Sequence, residues 1–266
     1  MSAIDYSGKV VIITGSSSGI GQAAAILFAK SGASVTIHGR SEDGLKKTTD
    51  LILAAGVPKE RIHFVIGCLS DKSVLTALID ETVQKFGRID VLINNAAGGL
   101  KPGEENPRSM ENFDYVFDVN VKSAIFLTED VIPHLEKTKG NIINISNVLN
   151  FILMPQAPFY IISKGTLDHF ARNYAALLAP KGIRINNLSP GATETGVLTR
   201  YGPISEAIVK QKENIASMVP LKRWAMPEEL GEFMLFMASD KASYMTGQII
   251  NVDGGFSIIS PSIKFD

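Results

Sequence analysis

Four apolar residues, Val10-Val11-Ile12-Ile13, run unbroken into Thr14-Gly15-Ser16-Ser17-Ser18-Gly19-Ile20-Gly21, and an alanine-rich stretch from Gln22 to Lys30 follows at once. A continuous apolar run of this kind predicts a strand buried on both faces. The alanine-rich stretch has helical propensity and period. Between them the glycines have separate uses. Gly15 permits a tight turn, Gly19 lets the backbone approach a phosphate, and Gly21 allows close packing of helix on strand. The helix N-terminus adds free N–H groups and a partial positive charge. No Gly-Lys-Ser/Thr follows, so the turn is not a Walker loop.

The rest of the chain repeats this alternation. Strands are expected at 33–38, 61–67, 91–93, 141–145, 183–188 and 248–252, and helices at 42–54, 71–86, 110–135, 160–179 and 227–238. The helix over 110–135 is expected to break near Asn120, and 195–219 to form one or two helices. Such alternation predicts right-handed βαβ units: an α/β, Rossmann-like doubly wound fold, with a seven-stranded, mainly parallel sheet covered on both faces by helices. With no internal repeat or linker, 1–266 reads as one domain, its core about 8–255 and a substrate-loop segment about 195–219.

In the helix expected from residue 160, Tyr160 and Lys164 stand one turn apart on one face. A free phenol titrates near ~10, and a neighbouring cation favours its ionised form. Tyr160 is therefore a candidate proton donor or acceptor.

The Gly-x-x-x-Gly-x-Gly spacing after a Thr, together with Asn94-Asn95-Ala96-Ala97-Gly98, Tyr160-x-x-x-Lys164 and Pro190-Gly191, resembles the short-chain dehydrogenase/reductase family in order and separation. The resemblance spans roughly Gly8 to Gly255. It implies a nicotinamide dinucleotide held by Gly15, Ser17, Ser18, Gly19, Ile20 and Gly21, with Asn95, Ala96 and Ala97 beside it. It implies that Tyr160 is the general acid/base, that Lys164 lowers its pKa and binds the nicotinamide ribose, and that Asn120 holds a relay water. It also implies that Pro190, Gly191, Thr193 and Thr195 meet the nicotinamide end. Relatives place a carbonyl-polarising Ser thirteen residues before the Tyr, and here that position is Asn147, with Ser146 one residue earlier. Three readings stay open: Asn147 donates in the serine's place, a bulge brings Ser146 in, or the site is impaired. The first is preferred.

At the end of the second strand an acid would hold the adenosine ribose. This chain has Gly39-Arg40-Ser41, so no carboxylate repels a 2′-phosphate, and Arg40 and Ser41 are candidates to bind one. NADP(H) is therefore expected over NAD(H), which stays possible, although Ser18 stands where many NADP-using relatives carry a second basic residue. Cys68-Leu69 replaces the usual adenine-binding Asp, which predicts a looser adenine contact.

The expected reaction is hydride transfer between nicotinamide and a small, apolar carbonyl or secondary alcohol. The resemblance implies a pocket built from the segment after Thr195 and the loop before Tyr160, which here supply Leu198, Tyr201, Ile204, Ile208, Met218 and Phe151, Ile152, Leu153, Met154; these would form an apolar pocket or, alternatively, pack on the core or on a partner subunit. The alternatives are an enoyl-type reductase, against which the Tyr-x-x-x-Lys spacing argues, and a cofactor sensor or scaffold. A net charge of -1 gives no sign of a nucleic-acid or anionic-membrane partner. One cysteine excludes an intrachain disulfide and a cysteine zinc site, and the four histidines are scattered. No signal peptide or spanning run is evident, so a cytoplasmic protein is expected. Homo-oligomerisation, as a dimer or tetramer, is implied by the resemblance, with the apolar tail 256–263 a candidate docking segment.

Overall fold

Seven strands form one sheet in the order β3-β2-β1-β4-β5-β6-β7 in a computed structural model that describes residues 4–151, 154–196 and 205–258. They are β1 (Val10–Ile13), β2 (Ser34–Gly39), β3 (Ile62–Ile66), β4 (Val91–Asn94), β5 (Asn141–Ile145), β6 (Arg184–Pro190) and β7 (Ile249–Val252). Every neighbouring pair is parallel. The helices are α1 (Gly19–Lys30), α2 (Glu42–Ala54), α3 (Lys72–Phe86), α4 (Met110–Phe117), α5 (Ser123–Thr138), α6 (Pro158–Leu178), α7 (Glu206–Met218) and α8 (Pro227–Ala238). Pro158, expected in the loop before the Tyr160 helix, instead occupies its first turn, where a missing N–H costs nothing.

Strand alternation explains the two cores. Val11, Ile13, Val91, Ile93, Ile143 and Ile145 pack with residues of α1 and α8 on one face. Ile12, Leu92, Ile142 and Ile185 pack with residues of α3, α5 and α6 on the other. Both faces are apolar because both are covered, so the central strands read as continuous apolar runs. The strand order reverses between β1 and β4, which opens a crevice at the carboxyl ends of these strands.

The break expected near Asn120 is a π-helical turn, Asp118–Lys122, joining α4 to α5. Such turns re-aim side chains within a helix. No helix among the described residues is long and apolar enough to cross a membrane.

Candidate active site

A cleft of about 850 Å³ opens at the strand-order reversal. Its lining begins at Gly15, Ser17, Ser18, Gly19 and Ile20, passes Arg40, Cys68, Leu69, Asn95, Ala96 and Ala97, and reaches Ser146, Asn147, Tyr160, Lys164, Pro190, Gly191, Thr193 and Thr195. Segments from both ends of the sequence thus share one wall, because the parallel strands all deliver their carboxyl ends there.

The glycine loop is built from beneath. Gly15 has φ +67°, and a Cβ there would stand 2.7 Å from Ala96 Cα. The Asn95 amide donates to the carbonyls of Thr14 (2.8 Å) and Gly15 (3.0 Å), while Thr14 Oγ1 accepts from the N–H groups of Asn95 and Ala96. The NH2 of Asn95 is thus spent on holding the loop. Gly21 does not line the cleft. A Cβ there would meet Asn95 Nδ2 at 2.4 Å, so it serves packing. His38 lies under the loop, buried, with Nδ1 accepting from Gly15 N (3.2 Å) and Nε2 beside Gly67 O (3.2 Å). The backbone donor at Nδ1 fixes the neutral Nε2–H form. Burial pushes this imidazole down to about 4.

At the far side of the loop, Ser18 precedes α1 but makes no side-chain cap bond, and the first turn of α1 carries no acid. Its end N–H groups remain available to an anion. A Cβ on Gly19 would come within 3.0 Å of Thr195 Cγ2, so only glycine keeps this cradle open beside Thr195. Both observations fit a dinucleotide pyrophosphate.

Gly39 admits no side chain, since a Cβ would stand 2.8 Å from Ser17 Cβ and Oγ. Arg40 Nη1 donates to Tyr115 Oη at 2.9 Å. Tyr115, which also lines the cleft, went unnoticed in the sequence because it lies 75 residues away. Ser41, expected as a phosphate contact, does not line the cleft. Its Oγ caps α2 by accepting from Gly44 N at 3.1 Å. Cys68 Sγ accepts from Ser70 Oγ at 3.2 Å.

At the inner end, Asn147 Nδ2 donates to Tyr160 Oη at 3.3 Å. Leu149 N–H donates to Asn147 Oδ1 at 2.8 Å, which fixes the amide so that its NH2 faces the phenol. Ser146 is 2% exposed, and its Oγ donates to Lys164 O at 3.2 Å and accepts from Asn150 Nδ2 at 3.1 Å. Lys164 is 1% exposed. Its Nζ donates to Ile145 O at 2.6 Å and lies 5.8 Å from the Tyr160 ring centre. Burial pushes this ammonium down to about 8, opposed by the charge of Asp168. Asn120 stands behind the cleft wall. It holds Gly98 through both backbone groups (2.8 and 3.0 Å) and donates to Ser163 Oγ at 2.9 Å.

The expected apolar pocket is corrected in part. Met154 lines the cleft, whereas Ile208 and Met218 do not, although they share one stripe of α7 with Gln211 and Ile215. From α7 the residues that do are Gln211 and Ile215, joined by Val148, Leu149 and Trp224. Phe256 also lines the cleft. Ile152, Leu153, Leu198, Tyr201 and Ile204, the side chain of Phe151, and the tail beyond 258 lie outside the described residues.

The chain and its fold have counterparts among known proteins. A family model described as enoyl-(acyl carrier protein) reductase matches residues 15–257. A 3-oxoacyl-acyl-carrier-protein reductase of Thermotoga maritima is 36% identical over 253 residues, covering 94% of this chain and 98% of the relative. A short-chain dehydrogenase/reductase of unknown function from Caenorhabditis elegans, solved with cofactor, superposes with a TM-score of 0.90 at 36% identity, covering 96% of this chain and 97% of that one. A 3-ketoacyl-(acyl-carrier-protein) reductase from Brucella melitensis, complexed with NADH, gives 0.84 at 30% identity, covering 95% and 100%. The chain belongs to the short-chain dehydrogenase/reductase family and is an oxidoreductase.

Proposed function

We propose that the protein transfers hydride between NADP(H) and the carbonyl or secondary alcohol of a small apolar substrate, with Tyr160 as general acid/base. The observation that carries this reading is the Asn147 amide set against the Tyr160 phenol in the same cleft as the glycine loop. A bound nicotinamide supplies or accepts the hydride. The protein's own groups manage the proton and the charge. Tyr160 Oη gives its proton to the substrate oxygen in reduction and takes it back in oxidation. Lys164, mostly charged at neutral pH, favours the phenolate that remains. Asn147 spends one N–H on Tyr160 and has a second to polarise the substrate oxygen, the task of the family's serine.

NADP(H) is preferred over NAD(H) on two grounds. Gly39 excludes an acid by crowding Ser17, and Arg40 lines the cleft beside it. The apolar lining by Leu149, Met154, Ile215 and Trp224 suits an apolar substrate. A homo-oligomer is in keeping with exposed Ile162 and Leu177 on α6, and light scattering of the purified chain tests it.

The test is a fluorescence titration with NADPH and NADH, followed by turnover of a ketone panel by wild type and Tyr160→Phe. Wild-type turnover with loss in the variant is expected, and equal turnover by both removes the acid/base role. The matched family model's description favours a second reading, enoyl reduction. A crotonyl thioester in the panel decides it: turnover there and on no ketone replaces the carbonyl reading.

A further inference from the structure

We propose that Asp168 is a positioning residue, anchoring the Tyr160–Lys164 helix to the sheet through a one-directional row of asparagine side chains. The inference rests on the acid/base reading given above.

Asn94 on β4, Asn144 on β5 and Asn187 on β6 are register partners. Strand alternation puts all three on the face covered by α3, α5 and α6. Asn94 Nδ2 donates to Asn144 Oδ1 at 2.9 Å, and Asn144 Nδ2 donates to Asn187 Oδ1 at 2.9 Å. Asn187 Nδ2 then donates to Asp168 Oδ1 at 2.8 Å. The three amides are buried, at 6%, 0% and 0% exposed. The second oxygen of Asp168 accepts from Asn150 Nδ2 at 2.6 Å, and that amide also reaches Ser146 Oγ.

The carboxylate dictates the row. It offers acceptors only, so Asn187 must turn its NH2 toward α6, and its oxygen toward Asn144, and so on to Asn94. Tyr160, Lys164 and Asp168 lie at successive turns of one face of α6. The row therefore ties the acid/base helix to β4, whose next residues, Asn95 to Ala97, line the cofactor end of the cleft. Every donor–acceptor contact along the row from Asn94 to Asp168 is matched, leaving only Asn94 Oδ1 unpartnered at its β4 end, so the row holds one direction.

That chemistry supplies a discriminating test. An amide in place of the Asp168 carboxylate has one acceptor for two donors, so Asp168→Asn either sets donor against donor at α6 or reverses the whole row and displaces the Asn94 NH2 from its partner at the β4 end. Adding Asn187→Asp repairs the match. The carboxylate then sits on β6, where it accepts from Asn144 and from the amide introduced on α6. The oxygen of that introduced amide accepts from Asn150. The first readout is amide hydrogen exchange over 158–168 in the cofactor-free protein. Exchange about tenfold faster in Asp168→Asn and restored in the double variant is expected. The second is steady-state kinetics on the best ketone of the panel. There kcat falls about tenfold in Asp168→Asn, KM for NADPH stays within about twofold, and the double variant recovers. Asn187→Ala gives the same pattern should Asp168→Asn fold poorly. Unchanged exchange in both single variants, or a double variant no better than Asp168→Asn, overturns the proposal. Tyr160→Phe run alongside separates the two ideas. If it retains wild-type turnover, the acid/base reading falls and the positioning role with it. If it is inactive while Asp168→Asn matches wild type, positioning alone falls.

Discussion

Arg40 and Tyr115 join the end of β2 to α4 by a single hydrogen bond, Nη1 to Oη at 2.9 Å. The Tyr115 ring is itself held, because it lies so close over Gly98 that a Cβ there would meet Cε1 at 2.9 Å. A surface arginine otherwise loses about 2 kcal/mol of rotamer freedom when it is ordered by a ligand. Here part of that ordering exists before any ligand arrives, and the remaining guanidinium donors can turn to a phosphate.

Arg40→Ala is therefore expected to raise KM for NADPH by about tenfold or more while KM for NADH changes little. Tyr115→Phe keeps the ring and removes the acceptor, so it raises KM for NADPH by a smaller factor, about threefold. Steady-state kinetics with both cofactors check this. Equal changes for NADH and NADPH in Arg40→Ala would contradict the cofactor assignment.

Asn147 and Ser146 are neighbours with opposite orientations. Asn147 faces the phenol, while the Ser146 hydroxyl is engaged by Lys164 O and Asn150. Asn147→Ala is expected to lower kcat about a hundredfold, the scale of losing one transition-state donor. Ser146→Ala removes a buried hydroxyl and costs about 1 kcal/mol of stability, with a much smaller change in kcat. Kinetics and thermal melts of both variants decide the matter, and the larger fall in kcat identifies the polarising group.

Much of this site was legible in the sequence because its parts are local. The glycine spacing, the apolar strand before it and the Tyr–Lys turn all lie within short windows, and each met its expected element. The break near Asn120 was legible too, and the π-helical turn falls there. What stayed hidden depends on register and on distant segments. Nothing local pairs Arg40 with Tyr115, and the asparagine row exists only once β4, β5 and β6 are aligned. Ser41 shows the same limit: a serine before a helix suits a cap as well as a ligand, and the cap it makes on α2 appears only in the structure.

His38 makes the glycine loop sensitive to acid. Its folded-state value, about 4, lies below the unfolded 6.5, so the unfolded chain takes up the proton first. The contribution is fully present above 6.5 and is lost as pH falls toward 4, amounting to about 3 kcal/mol across that window. Protonation also turns Nδ1 from acceptor to donor against Gly15 N–H. Thermal melts of wild type and His38→Asn between about pH 7 and 4 check this. The wild-type melting temperature should fall more steeply, and parallel curves would exclude His38 as the cause.

Lys164 sets function against stability. Its ammonium is buried against Ile145 O, with a folded-state value of about 8, below the unfolded 10.5. Below 8 both states hold the proton, and the folded one bears the full desolvation cost, about 3 kcal/mol. As pH rises from 8 to 10.5 the folded chain releases its proton first, and that cost disappears. Lys164→Met should therefore melt higher than wild type at about pH 7 without cofactor. The net gain is about 2 kcal/mol once the lost bond to Ile145 O is subtracted. The difference should shrink toward about pH 10, while turnover of ketones by the variant is abolished at every pH. Melts at these two pH values are sufficient. A Met variant less stable than wild type at neutral pH would mean that this ammonium is better solvated, or better paired, than its burial implies.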